Sequence, residues 1–270
     1  MSIGQKIIKH FAFALAVFLI VTIISTILLA LNAFSDVLGL KTDDKIKNMK
    51  SIVLQSTFVT NIEIDLVASE LEFINGDTFK IETNNNKIKV QEQNGKIEIQ
   101  EKRNIFVSTI KDSKLRITLP RDMELTEISI DSGAGKISAE TINVSKFELD
   151  IGAGSVEIEN LNVLTSADIS GGTGSLLISN GSINNLELEV GVGTCEINSF
   201  LTGNNNIEAG VGKLDVNLLA SLESYSIRLE KGIGSIKLNK ENVTNSNYGS
   251  GSNNLNIEAG IGNIEITTIN

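Results

Sequence analysis

One cysteine, Cys195, one proline, Pro120, one histidine, His10, and no tryptophan occur in 270 residues. A single thiol excludes an intramolecular disulfide, and a single imidazole excludes the usual histidine-based zinc constellations. Aromatic residues make up 4% of the chain against 41% hydrophobic residues overall, so a core must be built mainly from Ile, Leu and Val. Bases are scarce as well: 23 Lys and Arg against 33 Asp and Glu give a formal charge of −10. That charge argues against holding nucleic acid or an anionic membrane surface electrostatically, and makes a cationic partner the easier one. Of the arginines Arg103, Arg116, Arg121 and Arg228, only the last falls within the regular repeats described below. No isolated acid pair and no aromatic sugar platform stands out, so the chemistry of polysaccharide lyases and hydrolases has no evident seat, and no cofactor or catalytic residue is expected.

What the chain does have begins with a long apolar run. Positions 11–33 carry no charge, and at ~1.5 Å per residue such a helix spans the ~30 Å hydrocarbon layer. A cleaved signal peptide would be shorter and end at a small-x-small site, which Leu28 and Leu31 spoil. The run predicts an uncleaved signal-anchor helix over 11–33, after a tail of residues 1–10 in which His10 flanks the bilayer. Lys6 and Lys9 adjoin it without acids, whereas Lys41, Lys45, Lys47 and Lys50 lie among Asp36, Asp43 and Asp44, which predicts the N-terminus inside and the following domain outside. Residues 34–50 read as a juxtamembrane linker.

From residue 128 to the end the sequence repeats around a Gly-x-Gly triplet: Gly133/Gly135, Gly152/Gly154, Gly172/Gly174, Gly191/Gly193, Gly210/Gly212, Gly232/Gly234 and Gly260/Gly262. Regular recurrence at about 20 residues marks a stacked architecture in which each unit buries its apolar face on its neighbours. Three residues before each first Gly stand Ile130, Leu149, Ile169, Leu188, Ile207, Leu229 and Ile257. Four residues after it stand Ile137, Val156, Leu176, Cys195, Leu214, Ile236 and Ile264, and two further on Ala139, Ile158, Ile178, Ile197, Val216, Leu238 and Ile266. Period-2 alternation on both sides predicts two strands per coil with these residues inward and the glycines at the corner between them. The middle residue of each triplet is expected inward too, and Cys195 reads as a small buried hydrophobe. The fold class is therefore all-β, a β-solenoid carried by one transmembrane helix. Residues 51–127 alternate less regularly and read as a β region capping the solenoid, while the polar stretch 245–254 reads as a projecting loop.

Two residues before each corner the chain carries Asp131, Asp150, Ser170, Glu189, Glu208, Glu230 and Glu258. Stacked coils would bring these acids into one outward row, where like charges repel. A solvated face helped by Lys136 and Lys213 is the plain reading, and a stripe for Ca²⁺, Mg²⁺ or a polycation the sharper one. Calcium-binding nonapeptide repeats place an Asp where this chain is apolar, and neither a Rossmann nor a P-loop motif is completed after any triplet. The Asn-x-Ser/Thr triplets at Asn143, Asn180 and Asn242 occur at the frequency this composition gives by chance.

The segment from Ile62 to Phe73, the strand ending Ile117-Thr-Leu-Pro120, and the corners of the Ser132-Gly-Ala-Gly135 type resemble the Lia-type "toastrack" β-repeat family, bacterial proteins grouped as adhesins and found near envelope-stress genes in Gram-positive bacteria. The resemblance covers about residues 55–269 and implies a non-enzymatic solenoid of the cell envelope. It brings no established ligand or catalytic residues. The expected role is an envelope scaffold or stress accessory, with a surface adhesin for glycan or host ligand as the alternative and a carbohydrate-active enzyme as a third reading. Because the last coil ends at Ile266, it is expected to leave an open edge through which another envelope protein or a second copy docks.

Overall fold

The computed structural model describes residues 48–54, 58–102 and 112–269. The anchor expected over 11–33 lies outside them, and among the described residues no helix is long and apolar enough to cross a membrane.

The described chain enters at β1 (Lys50–Ile52) and forms β2 (Asn61–Leu66) and β3 (Glu70–Gly76), two sides of one coil. β4 (Lys80–Thr83) and β5 (Ile88–Gln93) run the other way, and β6 (Lys96–Glu101) with β7 (Lys114–Pro120) makes another coil. An extended path, β8 (Leu125–Ile178), then winds through the first regular repeats, followed by β9 (Gly181–Asn184), β10 (Leu186–Thr202) and β11 (Asn204–Leu218). After a 3₁₀ turn at Leu222–Ser224 come β12 (Tyr225–Leu238), β13 (Glu241–Asn242), β14 (Ser246–Gly249) and β15 (Asn253–Thr268).

Coils stack in parallel register, Leu188 on Ile169 and Ile207, and Cys195 on Leu176 and Leu214. All three inward ladders are buried as the alternation requires. A third, shorter side completes the coils up to Thr202: Leu161 pairs with Gly181 and Leu201 with Ile183, so Ile142, Val144, Leu161, Val163, Ile183 and Leu201 extend the core. Two strands per coil was one too few. The third side holds only two inward residues, too short for its alternation to show.

Sequence order and stacking order part company at both ends. β15 lies between β11 and β12, pairing Ile257 with Ile207 on one side and with Leu229 on the other. The last coil of the sequence is therefore interior. This overturns the expectation of a C-terminal coil with an open edge, since both its edges carry ladders. The edge belongs to β12, and β14 covers part of it by pairing antiparallel with Ser226–Leu229 while β13 covers Lys237 and Leu238. The stretch 245–254 is thus an edge strand and its turn rather than a projecting loop.

At the other end the same device recurs with the chain reversed. β6 and β7 pair in parallel with β2 and β3, and their outer edges are taken by β5 and β4, both antiparallel. β2 and β3 in turn stack on β8, Ile64 against Ile130 and Phe73 against Ala139, so the ladders run without a break from residue 61 into the repeats. Turning the outermost strands antiparallel interrupts the parallel template on which a further coil would grow, which limits end-to-end association.

Candidate functional site: the outer rows

The corners decide which residues face outward. They do not separate strands, which corrects the expectation of a break at each triplet. Gly133, Gly135, Gly152, Gly154, Gly172 and Gly174 all lie inside β8, Gly191 and Gly193 inside β10, and Gly210 and Gly212 inside β11. Gly232 and Gly234 lie inside β12, and Gly260 and Gly262 inside β15. The chain bends there while the ladder carries on: Gly212 pairs with Gly193 on one side and Gly262 on the other, and the register passes over only the first glycine of each triplet. The second glycine of each triplet, Gly154 at 151° and Gly212 at 146° among them, has φ between 140° and 152°, a conformation open to glycine alone. That conformation turns the strand without taking its N–H and C=O out of the ladder.

Close packing adds a second requirement. A Cβ built on Gly154 would lie 1.9 Å from the Gly135 carbonyl oxygen, one on Gly193 1.8 Å from that of Gly174, one on Gly212 1.8 Å from that of Gly193, and one on Gly234 1.7 Å from that of Gly262. The first glycine is similarly crowded, with Gly191 facing the Gly172 oxygen at 2.4 Å. Repetition of Gly-x-Gly is therefore a stacking requirement.

These bends also reverse the expectation for the middle residues. Between the inward residues one before and four after the first Gly lie five steps, an odd number, so strict alternation cannot hold and the bend absorbs the slip. Val190, Ala209 and Ala259, one residue before the triplet, pack against the core. The middle residues Ala134, Ala153, Thr173, Val192, Val211 and Ile261 sit half-exposed, and Ile233 is 68% exposed. Register brings Thr173, Val192, Val211, Ile261 and Ile233 into one line in that order, an apolar ridge along the solenoid.

Beside the ridge runs the acidic row. Glu189 lies against Ser170 and Glu208, Glu208 against Glu258, and Glu258 against Glu230. Asp131 pairs with Asp65, an acid of β2 outside the regular repeats that extends the row by one coil. Asp131, Asp150 and Glu189 are exposed and Glu208, Glu258 and Glu230 half-exposed. Partial burial, reinforced by Asp131, Asp168 and Glu148, raises the carboxyl of Asp150 above the ordinary aspartate range. Arg228 pairs with Glu230. Lys213 pairs with Asp215 and Lys136 reaches Glu157 at 3.6 Å, both on the strand after the corner, so neither expected neutraliser serves the row. Among the described residues no three His, Cys, Asp or Glu side chains converge as a metal site would require.

Cys195 is 2% exposed, and burial, with Asp215 and Glu196 beyond it, pushes its thiol up to about 12. Such a group is a packing residue, not a nucleophile. Sequence reasoning missed a buried polar knot at the N-terminal end. Glu101 Oε2 accepts the backbone N–H of Val67 (2.8 Å) and Ala68 (3.1 Å), and its Oε1 accepts Asn85 Nδ2 (2.8 Å). Asn85 Nδ2 also reaches Ser113 Oγ (2.8 Å), and Ser113 Oγ lies 2.5 Å from Ser69 Oγ. The carboxylate satisfies the donors of a corner, Val67-Ala68-Ser69, that lacks glycine. Its signal was legible: in Ile97, Ile99, Glu101 an acid takes an inward step.

A second feature lies at the C-terminal end, where the outward residues at the start of β11 and β15, ahead of the acidic row, are the amides Asn204, Asn206, Asn254 and Asn256. An open groove of about 420 Å³ is lined there by Asn204, Asn206, Asn254, Asn256, Arg228 and Asn247 among other polar residues. Asn254 Nδ2 donates to Asn204 Oδ1 at 2.8 Å, and Asn206 Nδ2 to Glu187 Oε1 at 2.7 Å.

Glycine corners, parallel ladders and interrupted ends define an all-β solenoid built for stacking. The chain belongs to the Toastrack DUF4097 family, whose model matches residues 59–268. Among solved structures it is similar to a "putative cell adhesion protein" of Clostridium sporogenes ATCC 15579, at 21% identity over 82% of this chain and 99% of that one, TM-score 0.37. It is also similar to a "putative adhesin" of Bacteroides fragilis NCTC 9343, at 15% identity over 82% and 97%, TM-score 0.39. No curated protein matches the chain.

Proposed function

We propose that this protein is a membrane-held, extracytoplasmic rod that acts by contact, as a non-enzymatic scaffold or stress accessory of the cell envelope. The observation that supports this reading is the apolar ridge from Thr173 to Ile233 with the acidic row beside it. Such a line, several coils long and no deeper than a side chain, offers an extended contact for another macromolecule and encloses no small substrate. The acids beside it select a partner with cationic flanks and disfavour nucleic acid. The uncharged run 11–33 supplies the membrane attachment.

Photo-crosslinking in intact membranes tests it. A photoreactive side chain in place of Val211 should trap a defined protein adduct, and one in place of Asn180, on another face, should not. No adduct at Val211, or equal adducts at both, would remove the ridge from the account. The amide groove favours a second reading, a surface adhesin for a glycan or host ligand.

A further inference from the structure

The amide groove sits on the outer face of the last three parallel coils, and register arranges its side chains in two rows. Asn204 lies against Asn254 and Asn254 against Ser226, while Asn206 lies against Asn256, Asn256 against Arg228 and Arg228 against Asn247. Neighbouring strands are ~4.8 Å apart and the two rows ~7 Å apart along the strands, so the rows form a grid across the coils. The grid is fixed from below. Asn205 points inward, is 2% exposed, and ties its coil to both neighbours, its Oδ1 accepting Leu186 N–H at 3.1 Å and its Nδ2 donating to Asn254 C=O at 3.0 Å. Asn204 and Asn206 are held by the bonds to Asn254 and Glu187.

Two groove amides differ from these. The side chains of Asn256 and Asn247 make no hydrogen bond within the described chain, and each presents a donor and an acceptor outward. Arg228 stands between them in the register and carries its own counter-ion, Glu230. The groove therefore holds hydrogen-bonding groups of both kinds with its positive charge locally balanced. It lacks the apolar pocket an acyl chain or a peptide anchor would need, and the acidic chain around it repels polyanions. Hydroxyl and acetamido groups are the ligand chemistry that such amides satisfy, and ~420 Å³ lies within the range of small-ligand sites.

We propose that this groove binds a neutral oligosaccharide bearing hydroxyl and acetamido groups, its sugars lying across the coils against Asn256, Arg228 and Asn247. The inference rests on the adhesin reading and gives it a site. Without an aromatic platform the binding is weak, with a Kd on the order of 1 mM.

The test is a titration of the detergent-solubilised full chain with N-acetylchitohexaose and, separately, cellohexaose, followed by saturation-transfer NMR. Saturable binding is expected, stronger for the acetamido sugar, and weakened about tenfold or more in the Asn247→Ala/Asn256→Ala double variant. Melting of that variant should not change, because neither amide has an internal partner. Asn180→Ala, remote from the groove, should bind as the unaltered chain does. Absence of saturable binding with both sugars overturns the proposal, and so does equal binding by the double variant. Failure here leaves ridge cross-links at Val211 untouched, whereas loss of those cross-links with sugar binding intact would sink the scaffold reading alone.

Discussion

Replacing Gly193 with Ala tests the stacking argument at its narrowest point. The new Cβ would sit 1.8 Å from the Gly174 carbonyl oxygen at φ 148°. Forcing a non-glycine residue into that conformation costs about 1–3 kcal/mol. The overlap cannot be relieved by a side chain, because the obstacle is backbone. Opening the coils by more than ~1 Å instead breaks one or two ladder hydrogen bonds at about 1 kcal/mol each. The sum is about 2–5 kcal/mol, in the range where single substitutions threaten a domain, and corresponds to a melting temperature lower by about 10 °C. Gly171 is the internal control. Its built Cβ meets nothing closer than 3.9 Å, its position carries Val190 or Ala209 in other coils, and it borders an apolar cavity of about 20 Å³. Gly171→Ala should be neutral or stabilise by about 0.4–1 kcal/mol through the unfolded chain. Guanidinium melts followed by far-ultraviolet circular dichroism of the detergent-solubilised chain give both values. A Gly193→Ala loss below about 1 kcal/mol, or an equal loss in Gly171→Ala, would refute the reasoning.

Other consequences follow from the same geometry. Glu101→Ala strips the acceptor from two backbone N–H groups and from Asn85, and should cost about 3 kcal/mol in the same melts, with Glu101→Gln intermediate. Asp150→Asn relieves repulsion in the acidic row and should stabilise by some tenths of a kcal/mol at neutral pH. Because the folded carboxyl titrates above its unfolded value, that gain should shrink as pH falls through the folded pKa, and also as salt is raised. Cys195 should resist maleimide at pH 8 until the chain is denatured. Its thiol ionises near pH 9 when unfolded but only at about 12 when folded, so its contribution to stability is complete below pH 9 and is lost as pH rises towards 12. For the stacking order, Lys213→Cys with Asn263→Cys in a Cys195→Ser chain should join through a short thiol crosslinker, because these positions are partners across adjacent coils. Efficient joining of Lys213→Cys with Ser235→Cys instead would mean that the coils stack in sequence order.

The inward ladders and the glycine corners were legible because each repeats seven times, so chance is averaged out and periodicity alone places Leu188, Cys195 and Ile197. That the strands run on through Gly154 and Gly212 was not legible, because glycine in a sequence marks a bend and leaves open whether the ladder survives it. The outward turn of Val192 and Ile233 was hidden too, since it depends on the phase slip at the bend, which no local pattern records. So was the stacking order of β15: Ile257 fits the ladder equally well beside Ile207 or beyond Leu229. Only the 28-residue gap before it, long enough for an edge strand and a return, hinted at the detour. The acidic row was visible in the sequence except for Asp65, which joins it from a coil whose corner has no glycine. The amide groove was invisible, because Asn206, Asn256, Arg228 and Asn247 come from separate strands and meet only through register.

The most direct test of the central claim, a contact rod displayed outside the membrane, is protease accessibility of the C-terminal domain on intact cells and on inverted vesicles. The account predicts cleavage on intact cells and protection in inverted vesicles. Protection on cells with cleavage in inverted vesicles would place the solenoid inside and contradict it.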